Sequence, residues 1–241
     1  MISYANEVFA AIDHDHVLER IAGGNETEVY RTDDQRYVVK LKCDLGNTLP
    51  SALAHARAMR DAAERYTGCL GPRHTIPSHY IVARDTDGRI QVLVLQEFLA
   101  GAQPLFALDY AGMSSEERDH IATELRDIVR RSLEFYRATG SMPDLYGRTS
   151  SSSDERARQK RLAQLPRRIW SFVAQRNLLR SHNLMRTAET PARVVLVDYD
   201  FVRRGRLYRL VYFTVRWMLF WRDHMLILLM RESGKTPAQS R

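Results

Sequence analysis

The chain has little cysteine: of its 241 residues only Cys43 and Cys69 are cysteines, and their spacing suits no metal site. That excludes a disulfide-stapled mini-domain and a zinc ribbon, and reduced, buried thiols are the expectation. It also lacks an apolar run long enough to span a bilayer. The most apolar stretch, Leu207 to Met230, is broken by Arg209, Arg216, Arg222, Asp223 and His224. A buried C-terminal helix or helix pair is expected there, with its aromatic residues Tyr208, Tyr212, Phe213, Trp217, Phe220 and Trp221 in the core. Peripheral, interfacial membrane contact is the alternative. Near the start, Glu7, Asp13 and Asp15 interrupt what a signal peptide would need as an apolar core, so a cytoplasmic location is expected by elimination. No Walker A, G-x-S-x-G, C-x-x-C or H-E-x-x-H pattern occurs, which argues against P-loop, serine-hydrolase and zinc chemistry. Internal repeats are absent as well.

What is present reads as a globular chain. Hydrophobic residues make up 44% and charged residues 27%, and the length suits one domain of two lobes or two small domains. The 36 Lys and Arg exceed the 29 Asp and Glu, giving +7 and a preference for anionic partners. The excess is concentrated between 154 and 180, where Arg156, Arg158, Lys160, Arg161, Arg167, Arg168, Arg176 and Arg180 face only Asp154 and Glu155. Such runs are usually solvated faces, so they make no strong case for nucleic acid.

The first hundred residues alternate like strands. Val17 to Ala22, Glu28 to Thr32 and Tyr37 to Leu41 are β-prone runs parted by Gly23-Gly24-Asn25 and Asp33-Asp34-Gln35. From Pro50 to Tyr66, Leu53, Ala56, Met59, Ala63 and Tyr66 recur at helical spacing. His79 to Arg84 and Ile90 to Phe98 then flank Asp87-Gly88, a hairpin signal. A five-strand sheet with one inserted helix is predicted. After Leu99-Ala100-Gly101 the character turns helical: Ser114 and Glu117 have capping-box spacing, Ile121, Leu125, Ile128, Val129, Leu133 and Tyr136 form a stripe, and Thr139-Gly140 ends it. Asn183 to Met185 and Arg193 to Val197 are predicted as a small strand pair.

Four polar positions stand out in apolar surroundings: Lys40 ending Tyr37-Val38-Val39, Asp144 in Met142-Pro143-Asp144-Leu145, Asn183 in His182-Asn183-Leu184-Met185, and Asp198 ending Val194-Val195-Leu196-Val197. This order is what ATP-dependent phosphoryl transfer requires: a cation for phosphates, a carboxylate to take a hydroxyl proton, and hard oxygen donors for magnesium. Asp144 could equally be a turn or cap aspartate after proline. Counting back five residues from Asn183, as D-x-x-x-x-N would demand, lands on Leu178, which cannot accept a proton.

Strands with a helix, a crossover, a long helix, an Asp loop and a strand-borne Asp resemble, over roughly residues 17 to 225, the protein-kinase-like fold, in its aminoglycoside phosphotransferase-like and atypical bacterial branch. The resemblance implies an α+β, two-lobed fold. A small antiparallel sheet with one helix (1–99) would form the nucleotide-binding lobe. A larger, mainly helical lobe (100–241) would carry a basic insertion around 146–177. It implies ATP and Mg2+ as cofactors, Lys40 on the nucleotide phosphates, Asn183 and Asp198 on the metal and Asp144 as base. Gly23, Gly24 and Val29 would form the phosphate turn, Glu64 would orient Lys40, and Glu97 and Leu99 would flank the adenine crossover. The chain would transfer the γ-phosphoryl group to a hydroxyl of an acceptor, a small molecule or a protein, that the sequence does not name. The alternative is a pseudokinase that binds nucleotide or a protein partner without chemistry, as its incomplete glycine motif would suit.

Overall fold

The computed structural model of the chain describes residues 2–5, 19–23, 27–32, 34–42, 48–84, 88–147, 177–199 and 206–232. They divide into two compact units, an α+β arrangement. The first comprises those within Met1–Arg65 and Ile76–Ala100, the second those within Tyr66–Thr75, Gly101–Arg148 and Leu165–Arg241.

The first unit is built on a six-stranded sheet. Its strands are β1 (Ile2–Ala5), β2 (Glu19–Gly23), β3 (Thr27–Arg31), β4 (Tyr37–Lys42), β5 (Ser78–Arg84) and β6 (Ile90–Glu97), in the order β1-β5-β6-β4-β3-β2. Five of them match the predicted strands. The sixth, β1, was not predicted, because four residues carry too little alternation to register. β1 also pairs parallel to β5, with Ile2 opposite Tyr80, whereas every other pair in the sheet is antiparallel. Alternation fixes the register, since a one-residue slip would turn each apolar set to the wrong face. On one face Val39, Ala83 and Leu93 form a buried cluster with Leu41, Ile81 and Leu95 around it. On the other, Val92, Val94, Tyr80 and Val82 are buried, and Gln96 is satisfied by donating to the Ser78 hydroxyl at 2.7 Å.

Helix α1 (Leu49–Leu70) buries Ala52, Ala56, Met59, Ala63, Tyr66 and Leu70, a spacing of alternate fours and threes. It runs four residues past the predicted end. Gly68 stays helical, and the stop is Gly71, whose φ of 77° is a conformation that side chains resist.

The second unit centres on two long helices, α2 (Ser115–Thr139) and α3 (Arg206–Glu232). The predicted capping box is present: Glu117 N–H donates to Ser114 Oγ and Ser114 N–H to Glu117 Oε2, both at 3.2 Å. Gly140, at φ 67°, closes the other end of α2. The two helices pack antiparallel: Tyr136 lies 6.3 Å from Phe213, while Arg231 reaches Asp119 at 2.7 Å. α3 is one helix and not a pair. It buries Phe213, Arg216, Phe220, Asp223, Ile227 and Met230, so two charged residues sit in its inward stripe. The expectation that its aromatics are all core is corrected at Trp221, which is 63% exposed, while Tyr208 lies outside the residues whose side chains are described. Helical geometry is the reason: Trp221 falls opposite the stripe containing Phe220 and Ile227. Among the described residues no helix is long and apolar enough to cross a membrane.

Strands β7 (Gln103–Pro104), β8 (Leu184–Arg186) and β9 (Val194–Leu196) form a small antiparallel sheet, the last two being the predicted pair. Fully buried His74 ties this sheet to α2, with Nδ1 donating to Val194 O at 2.9 Å and Nε2 at 3.1 Å from Asp127 Oδ2. Burial works to raise the Asp127 carboxyl, but bonds from Arg131, Arg130 and His74 outweigh it and hold the group well below the usual carboxylate range.

Candidate functional site

Three of the four singled-out residues lie in the second unit, and local structure gathers them. Antiparallel pairing of Leu184 with Leu196 brings the residue before β8 alongside those after β9, so Val197 N–H donates to Asn183 O at 2.9 Å, with Asp198 next in the chain. The segment Asp144–Gly147 then runs beside Ser181–Asn183. Asn183 Nδ2 donates to Asp144 O at 2.8 Å, the Ser181 hydroxyl to Leu145 O at 2.5 Å and His182 N–H to Tyr146 O at 3.0 Å. Three successive carbonyls are thus held by three successive residues, and Ser181 also accepts from Asn183 and Leu184 N–H. Ser181 is fully buried, so its hydroxyl fastens the two segments without competition from water. Leu178, five residues before Asn183, is fully buried in the short 3-10 turn Leu178–Arg180, and Asp144 is the acid beside Asn183.

The Asp144 carboxylate is gripped on one side. Oδ1 accepts from Tyr146 N–H at 3.2 Å and from Arg216 Nη2 at 2.8 Å. Oδ2 has no partner among the described residues, and the side chain is 27% exposed, so one oxygen is anchored while the other can accept a proton from an incoming group. Arg216 lies over the Tyr146 ring at 4.0 Å and donates to the Tyr212 hydroxyl at 2.5 Å. Burial works against the Arg216 charge, yet Asp144, Tyr212 and Tyr146 outweigh it and raise its pKa. Beneath, the Tyr146 hydroxyl donates to Asp223, which also accepts from Arg222 Nη2 at 2.7 Å. Burial pushes both the Tyr146 phenol and the Asp223 carboxyl up, the bonds from Tyr146 and Arg222 only partly offsetting it at Asp223.

Arg216, Asp223, Tyr146, Ser181 and Gly147 were not singled out from sequence. A signal existed for the first two: charges seven residues apart on an otherwise apolar helix stripe must find buried partners. Gly147 has φ 66°, and a Cβ there would lie 2.3 Å from Asn183 Oδ1. Gly140 has nearly the same φ, 67°, and open space around it. Gly140→Ala is therefore expected to cost about 1–2 kcal/mol from backbone strain alone. Gly147→Ala should cost more and dislodge Asn183. Urea denaturation of the two variants measures this, and equal losses would show that the Gly147–Asn183 contact is unimportant.

The first unit holds the other candidates. Lys40 is half-buried on β4, a central strand, between Val29 of β3 and Val94 of β6. Gly23 ends β2 opposite Glu28, and Gly24 lies outside the described residues, as does the basic segment up to residue 176. Glu64 is not brought to Lys40. Its side chain is 67% exposed and paired with Arg60 one helical turn back, at 3.4 Å, because its place on α1 falls outside the buried stripe. Glu97 is exposed at the end of β6, and Leu99 is half-buried beyond it.

Comparison with protein-family models and with curated protein sequences gives no match. The site therefore stands on its own chemistry. Among the described residues no group of three or more His, Cys, Asp or Glu could hold a metal. One amide and one carboxylate do suit a hard cation whose remaining ligands come from phosphate and water.

Proposed function

We propose that the chain is an ATP- and magnesium-dependent phosphotransferase acting on a hydroxyl acceptor. The observation that carries this reading is the clasp between Asn183 and Asp144, which supplies an amide oxygen, an outward carboxylate oxygen and, through the β8–β9 pairing, the neighbouring Asp198. The donor set fits magnesium, with Asn183 and Asp198 as the residues that would hold it; the ion would neutralise charge developing on the phosphates. Asp144 Oδ2 would accept the proton of the attacking hydroxyl while Arg216 and Tyr146 N–H hold Oδ1 and so the orientation. In the first unit, Lys40, the backbone around Gly23, Gly24 and Val29, and Glu97 and Leu99 are the proposed nucleotide contacts.

A second reading has a specific observation behind it: the Arg216–Asp144 ion pair commits one carboxylate oxygen to structure, as would suit a protein that binds nucleotide without turnover. The full chain incubated with ATP and magnesium separates the two. Stabilisation against heat together with magnesium-dependent ATP turnover supports the phosphotransferase, stabilisation alone supports the binding protein, and neither effect sinks both.

A further inference from the structure

The solvent side of α3 is apolar along its length. Val211, Met218, Trp221, Met225 and Leu229 are each between 56% and 63% exposed, as is Leu210 at 61%. At about 100° per residue they fall within one face, opposite the buried stripe of Phe213, Phe220 and Ile227. Thr214, within that face, turns its hydroxyl back onto Leu210 O at 2.8 Å, which removes its need for water, and Glu232 closes the face at the last turn. A helix in water that buries one stripe against its neighbour and presents a second to solvent has a partner to meet.

Charge says which partner. An open groove of about 500 Å³ runs beside α2, lined by its Arg126, Asp127, Arg130, Glu134 and Arg137 and by His224 of α3. Arg130 is neutralised by Asp127 at 2.5 Å and Glu134 at 3.0 Å, whereas Arg126 and Arg137 have no partner among the described residues. In sequence, Arg203, Arg204, Arg206 and Arg209 cluster around the start of the helix. An apolar stripe bearing Trp, Met and Leu beside unpaired arginines is the design of a helix lying in a bilayer interface, its apolar face among acyl chains and its cations among headgroup phosphates. A second copy of the chain would set arginine against arginine, and nucleic acid would leave the apolar stripe unused.

We infer that the outward face of α3, with the adjoining arginine groove of α2, docks on the surface of an anionic phospholipid membrane. The inference is independent of the phosphotransferase reading. Its test is flotation of the full chain with vesicles of phosphatidylcholine, with and without phosphatidylserine, alongside quenching of tryptophan fluorescence by brominated acyl chains. The wild type should float with the phosphatidylserine vesicles and show quenching, and added salt should weaken the association. Met218→Gln/Trp221→Gln/Met225→Gln, all at exposed sites, should keep the melting temperature and lose most of the flotation. Arg126→Glu/Arg137→Glu should reduce binding roughly tenfold or more. Absence of flotation with either vesicle overturns the inference, and so does equal binding to both that ignores the arginine change. A wild-type dimer that the triple substitution turns into a monomer, with no vesicle binding, also overturns it and assigns the face to a second copy.

Discussion

Replacing Asp198 with alanine should reduce phosphoryl transfer from ATP by roughly a thousandfold, the scale of losing several kcal/mol of charge stabilisation in the transition state. The loss should appear in kcat, because a transferring phosphoryl group is stabilised mainly by positioning and charge. The β8–β9 pairing beside Asp198 is made by main-chain groups of other residues, and the melting curve of the variant checks that the fold is kept. Asp144→Asn should reduce transfer by about a hundredfold or more, the usual scale for one general base. Unlike Asp198→Ala it leaves the cation ligands in place, so stabilisation by ATP and magnesium should persist. Label transfer from ATP, with a melting curve for each variant, measures all of this. Wild-type turnover that survives Asp198→Ala unchanged would remove the site from consideration.

The second large effect concerns the polar core under the site. Arg216→Met should destabilise the chain by about 3 kcal/mol, because it strips a cation from a pocket where it pairs with Asp144 and covers Tyr146. Asp144 can recover some water, which keeps the loss at the low end for a broken buried pair. Arg216→Lys should restore part of the stability but not the planar stacking.

Asp223 gives the same core a pH signature with a definite sign. Its folded carboxyl binds a proton more tightly than the unfolded chain does, whose ordinary value is 3.8. Its contribution to stability is then complete below that value and is lost as pH rises through the raised folded value. Asp223→Asn keeps an acceptor for Tyr146 and Arg222 and removes the titration. The stability of this variant relative to wild type should thus improve as pH rises from the ordinary carboxylate range and level off above the raised value. Urea denaturation at several pH values reads this directly, and a variant that loses stability relative to wild type as pH rises would contradict the account of Asp223.

Much of the framework was legible locally. Alternation in Tyr37–Lys42 and Ile90–Glu97 specified strands, Ser114 with Glu117 specified a helix start and Gly140 its end, because each signal acts through neighbours a few residues away. The order Lys40, Asp144, Asn183, Asp198 could likewise be read along the chain, as a pattern of residue types.

Contacts across long separations were decided only by folding. Asn183 meets Asp144 across 39 positions, Arg216 meets Asp144 across 72 and Tyr146 meets Asp223 across 77. A charge on an apolar helix stripe announces that it needs a partner, yet nothing near it in sequence names which one. The same holds for Trp221 and for Glu64: composition marks one as apolar and the other as charged. Only the rotation of each helix against its neighbours decides which surface water reaches, and that rotation is set by packing of the whole unit.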